Sequence, residues 1–66
     1  MSAIQPQILL WARETAGLSL ADAAHALDLG QAHGRTGAER LAAMERGEEE
    51  PSRSVLLKMA KSYRRP

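Results

Sequence analysis

Two short amphipathic stretches follow one another in the middle of this chain. Residues 18–27 read Leu-Ser-Leu-Ala-Asp-Ala-Ala-His-Ala-Leu and residues 40–47 read Arg-Leu-Ala-Ala-Met-Glu-Arg-Gly. Both space their apolar residues as a helix does, and the second ends on glycine, which closes helices because it adopts a left-handed backbone at no steric cost. One further helical segment precedes the pair and another follows it. Four short helices use up most of a 66-residue chain. The expectation is one all-α domain over residues 1–66, a bundle of four (to five) short helices.

The rest of the composition agrees with such a bundle. Phenylalanine is absent and Trp11 and Tyr63 are the only aromatics, so alanine and leucine must build the core. Small side chains of this kind favour closely packed helices over strands. There is no cysteine, which excludes disulfides and thiolate metal sites. No apolar run approaches the roughly 20 residues of a membrane span, and the N-terminus lacks a signal-peptide pattern, so a soluble cytoplasmic domain is expected. A domain this small buries only about 60% of the surface its unfolded chain exposes, so each core contact matters. Nine Lys and Arg against eight Asp and Glu give a net charge of +1. That is not the strongly basic balance of a typical nucleic-acid binder. Its distribution is uneven: Glu45, Glu48, Glu49 and Glu50 cluster, while Lys58, Lys61, Arg64 and Arg65 make the C-terminal end basic. The simplest account of each run is a solvated helix end.

Capping chemistry places the elements. Pro6 suits the first turn of a helix over 6–16, with Leu9 and Ala12 facing inward, Ile8 beside them and Gly17 as terminator. Ser19 caps a second helix over 19–27, with Asp22 as the acidic partner of a near capping box and Ala23, Ala24 and Leu27 inward. Residues 28–37 hold Gly30, Gly34 and Gly37 without periodicity and read as an exposed, mobile loop. A third helix follows over 36–46, with Leu41 and Met44 inward and Gly47 behind it. Ser52 or Ser54 caps a fourth over 52–63, whose apolar stripe is Val55, Leu56, Met59, Ala60 and Tyr63.

In this order the residues resemble a known family. Arg13, then Ala16-Gly17-Leu18-Ser19, Ala23-Ala24, Met44-Glu45-Arg46-Gly47, Pro51-Ser52 and Leu57-Lys58-Met59-Ala60 are similar to the Cro/cI (XRE) helix-turn-helix family over roughly residues 8–63. The tail from Leu57 to Tyr63-Arg64-Arg65-Pro66 looks most like the N-terminal domain that precedes ImmA/IrrE-type zinc metallopeptidases. No His-Glu-x-x-His is present, so the resemblance implies a helix-turn-helix segment rather than the peptidase itself, either cut from a longer protein or free-standing. It implies a lambda-repressor-like fold in which the third helix enters the major groove of double-stranded DNA and the second crosses the backbone. The groove-facing set would then be Arg35, Ala38, Glu39, Arg40, Ala43 and Arg46, with Arg53 and Lys58 near phosphates. Arg40 is the side chain suited to guanine O6 and N7. Departures from the family pattern are visible too. The connection over 28–36 exceeds the three or four residues of a tight helix-turn-helix, Leu20 replaces a polar phosphate ligand, and glutamates follow Gly47.

Other residues take structural roles in the same reading. Family resemblance pairs Arg13 with Glu45, tying the first helix to the third. His25 lies one turn from Asp22, but no third ligand is placed, so surface histidines are expected at 25 and 33 and no metal site. No nucleophile with a paired base is present, no cofactor is implied, and the segment is not expected to be an enzyme. Leu10 and Trp11, with Tyr63, form either a partner surface or an edge of the core. Two functions stay open. One is a transcriptional regulator's DNA-binding domain, paired as a homodimer or covered by a following domain. The other is a protein-interaction module attached to a zinc metallopeptidase.

Overall fold

A computed structural model describes residues 5–32 and 34–63; His33, Arg64, Arg65 and Pro66 lie outside the described residues, as do residues 1–4. The chain is all-α, with α1 at Pro6–Thr15, α2 at Leu20–Ala26, α3 at Gly37–Arg46 and α4 at Arg53–Ser62 among the described residues. Each helix lies within two residues of its expected bounds because the capping chemistry acts where the sequence places it. Ser19 Oγ accepts the Asp22 N–H at 3.1 Å, and Ser52 Oγ accepts the Val55 N–H at 3.2 Å. Pro6 opens α1, where its missing N–H leaves nothing unpaired.

The first three helices end in one way. After α1, Gly17 N–H donates to Glu14 O and Leu18 N–H to Arg13 O. After α2, Asp28 N–H donates to His25 O and Leu29 N–H to Ala24 O. After α3, Gly47 N–H donates to Met44 O and Glu48 N–H to Ala43 O. This pair of bonds needs a left-handed residue, supplied by Gly17, Asp28 (φ 53°) and Gly47 (φ 82°). Asp28 is tolerated there because its short polar side chain can bond locally. In the first two cases the next residue, Leu18 or Leu29, turns back onto the core.

The core is centred on α3. Leu27, Leu41 and Met44 are fully buried, with Leu9, Ala23 and Met59 around them and Val55, Leu56 and Tyr63 of the C-terminal segment packed against the group. Helix–helix contact runs chiefly from α3 to α2 and from α3 to α1. Alanines at 23, 24 and 43 let the helices approach closely.

Three expectations on facing and order need correction. Ile8 is 52% exposed and does not pack beside Leu9. Ala60 is exposed on the outer side of α4. The connection from α2 to α3 is more ordered than an irregular loop: Ala32 and Arg35 exchange both backbone bonds at 3.0 Å, and half-buried Leu29 anchors its start. Gly37, where α3 begins, sits so close to the Leu29 carbonyl that a Cβ there would overlap it.

Candidate nucleic-acid interface

The start of α3 is held by a reciprocal cap. Thr36 Oγ1 accepts the Glu39 N–H at 3.2 Å, and the Glu39 carboxylate accepts the Thr36 N–H at 2.8 Å. The bond from the Thr36 N–H, and after it the nearby Thr36 hydroxyl, hold the Glu39 carboxyl below its ordinary value. Glu39 Oε1 is therefore engaged in capping the start of α3. Its signal, a threonine followed three residues later by glutamate, stands in the sequence as a capping box, the same motif expected instead at Ser19 and Asp22.

Arg40 does not point freely to solvent. Its Nε and Nη2 donate to Glu49 Oε2, each at 3.2 Å, and its Nη1 donates to the Gly30 carbonyl at 2.9 Å. One side chain thus ties the α2–α3 connection, the first turn of α3 and the segment after α3 together. Arg46 donates to Glu48 through Nε at 2.8 Å and Nη2 at 3.3 Å, and Arg35 approaches the same carboxylate at 3.8 Å. The Arg46 contact lowers the Glu48 pKa from its ordinary value. The acidic run expected to be merely solvated is the counter-charge of the expected DNA face. Three arginines, at 35, 40 and 46, pair with two glutamates, at 48 and 49, in this region. The Arg46–Glu48 and Arg35–Glu48 pairs are exposed and readily exchanged for other partners, whereas the side chains of the Arg40–Glu49 pair are only 20% and 22% exposed.

Ala43 is a further correction. It is completely buried, facing the core rather than a groove, because α3 is packed on two sides by α1 and α2 and only part of its circumference remains open. Ala38 is half-buried at the first turn, and Arg53 and Lys58 are exposed on α4 with no ion pair to either among the described residues.

The Arg13–Glu45 pair forms as expected. Arg13 Nε reaches Glu45 Oε2 at 2.7 Å and Nη2 reaches Oε1 at 3.2 Å, a parallel fork. Nη1 donates to the Leu18 carbonyl at 2.8 Å. The side chains are 12% and 6% exposed, and the bond to Glu45 raises the Arg13 pKa further. The pair joins α1, the turn after it and the last turn of α3, and so sets how α3 is presented.

On α1, Leu10 is half-buried, whereas Trp11 is 66% exposed. The alternative in which Trp11 covers the core edge against Tyr63 does not hold. Tyr63 packs on the core instead, with its hydroxyl buried and unpaired among the described residues; burial raises its pKa. Ile8 and Trp11 stand one turn apart on the open side of α1. Among the described residues no three His, Cys, Asp or Glu side chains gather as a metal site, and no helix is long and apolar enough to cross a membrane. No protein-family model, curated protein or solved structure matches the chain.

Proposed function

We propose that this chain is a DNA-binding helix-turn-helix domain of the Cro/cI type, acting in transcriptional regulation. The second and third helices would form the motif and the start of α3 would enter the major groove of double-stranded DNA. The observation that carries this reading is the gathering of Arg35, Arg40 and Arg46 along α3 and its capped start, with the helix itself fixed to α1 by the Arg13–Glu45 fork. Arg40 and Ala38 would meet base edges, while Arg35, Arg46, Arg53 and Lys58 would meet phosphates. Pairing as a homodimer would give the affinity that one such small face lacks, and either the second copy or a following domain would cover apolar surface of α1 and α4. The test is a titration of labelled duplexes, selected from a random pool, at low and moderate salt. A preferred sequence should emerge, with affinity falling as salt rises by a slope of about −0.9 per phosphate contact. Arg40→Ala should cost about 1–3 kcal/mol on that sequence and relax preference at one base pair. If no sequence outcompetes random DNA even at low salt, the reading fails.

One observation favours a second reading, a protein-interaction module attached to a zinc metallopeptidase. Ile8 and Trp11 expose large apolar area side by side on α1, and amphipathic aromatics of this kind concentrate at protein interfaces. Trp11→Ala would then weaken association with the partner domain and leave DNA titrations unchanged.

A further inference from the structure

We propose that the glutamates following α3 act as an internal competitor for phosphate, holding the arginines of the proposed DNA face in an occupied state. This inference rests on the DNA-binding reading and adds a control of affinity to it. Two observations carry it. Glu49 takes both the Nε and Nη2 donors of Arg40, and Glu48 takes the Nε and Nη2 of Arg46 while also approaching Arg35. Each of these three arginines is therefore matched to a carboxylate from one short segment. A carboxylate and a phosphate oxygen present the same acceptor geometry to a guanidinium fork.

The segment is well placed to compete because its position is set by backbone bonds rather than by the ion pairs. Glu48 and Glu49 N–H both donate to the Ala43 carbonyl, at 2.8 and 3.3 Å, behind the left-handed turn at Gly47. The carboxylates accordingly stay beside the arginines when a phosphate arrives. DNA must displace them from the guanidinium groups and then tolerate their charge nearby. Glu50 borders the same depression, with Arg35, Arg40, Glu48 and Glu49, and adds to that repulsion.

The experiment compares the wild-type chain, Glu48→Gln, Glu49→Gln and the double variant on one mixed-sequence duplex at low ionic strength. Glu14→Gln, on α1 and outside the cluster, controls for the change in net charge. Thermal unfolding of each variant shows that the fold persists. Removing two unit charges near a bound phosphate should tighten binding about five- to tenfold in the double variant at low salt, where screening is weak. Release of arginines to phosphate should also steepen the salt dependence by about 0.9 for each additional phosphate neutralised. Glu14→Gln should stay within about twofold of wild type. Equal binding by wild type and the double variant would overturn the competition and leave the DNA reading standing. A Glu14→Gln effect equal to that of Glu49→Gln would reduce it to net charge and overturn it as well. If neither wild type nor the double variant binds DNA at low salt, both the competition and the DNA reading fall.

Discussion

Replacing Glu45 with alanine is the sharpest test of how this small bundle holds its third helix. The substitution leaves the Arg13 guanidinium, 12% exposed, with two of its donors unpaired and only the Leu18 carbonyl still accepting. Breaking a buried pair by removing one partner costs about 3–5 kcal/mol, because the surviving charge stays in a poorly solvated place. The retained bond to Leu18 puts the expected cost near the lower figure, about 3 kcal/mol. At roughly 0.05–0.15 kcal/mol per residue, a 66-residue domain has only about 3–10 kcal/mol in all. Glu45→Ala should therefore remove a large share of the stability. Urea denaturation followed by helical circular dichroism reads this directly. With a slope of about 1 kcal/mol per molar for so small a chain, the midpoint should fall by about 3 M or folding should be lost outright. The double variant Arg13→Met, Glu45→Leu separates a stranded charge from a lost attraction. It should recover much of the loss, since apolar replacement of a buried pair is often neutral. A loss under about 0.5 kcal/mol for Glu45→Ala, the size of an ordinary surface change, would refute the reasoning.

Gly37→Ala should destabilise by about 1–3 kcal/mol, because its Cβ would press on the Leu29 backbone at the start of α3; a thermal midpoint equal to or above wild type would contradict the close approach. Tyr63→Phe should change stability little or raise it slightly, since the hydroxyl lost is buried and unpaired, and a clear loss in denaturation would mean that the hydroxyl has a partner. Acid should weaken the fold. The Glu39 and Glu48 carboxyls titrate below their ordinary values in the folded chain, so their contribution is present above the ordinary glutamate range and is lost as pH falls through the folded values. Glu39→Gln should flatten that acid limb in a pH series of thermal midpoints, and an unchanged limb would remove the cap from the account.

Local chemistry explains why the helices are legible in the sequence. Pro6, Ser19 and Ser52 act through the backbone within three residues, and the closing turns at Gly17 and Gly47 require only a left-handed residue at one place. Facing is harder to read where apolar residues run together. Ile8, Leu9, Leu10 and Trp11 are consecutive; the spacing already places Leu9 inward, but it does not show that Ile8 beside it stays exposed, which packing against α3 decides. Ala43 escapes the sequence for a related reason. A helix carried in a groove and a helix packed on two neighbours have different open arcs, and only tertiary contact shows that α3 keeps Ala43 inside.

The ion pairs of the candidate site are the least legible part, and the cause is the geometry of chain reversal. Arg40 and Glu49 are nine residues apart, across the end of a helix, a separation that no helical spacing rule covers. They meet because Gly47 turns the chain back on the last turn of α3, where Glu48 and Glu49 both donate to the Ala43 carbonyl. Gly30 brings its carbonyl to the same guanidinium from the α2–α3 connection, behind the left-handed turn at Asp28. Two helix-closing turns, each set by one residue, thus determine the electrostatics of the face between them. The consequence reaches function. In a chain whose net charge is only +1, whether α3 attracts a polyanion depends less on how many arginines it carries than on where those turns deliver the glutamates.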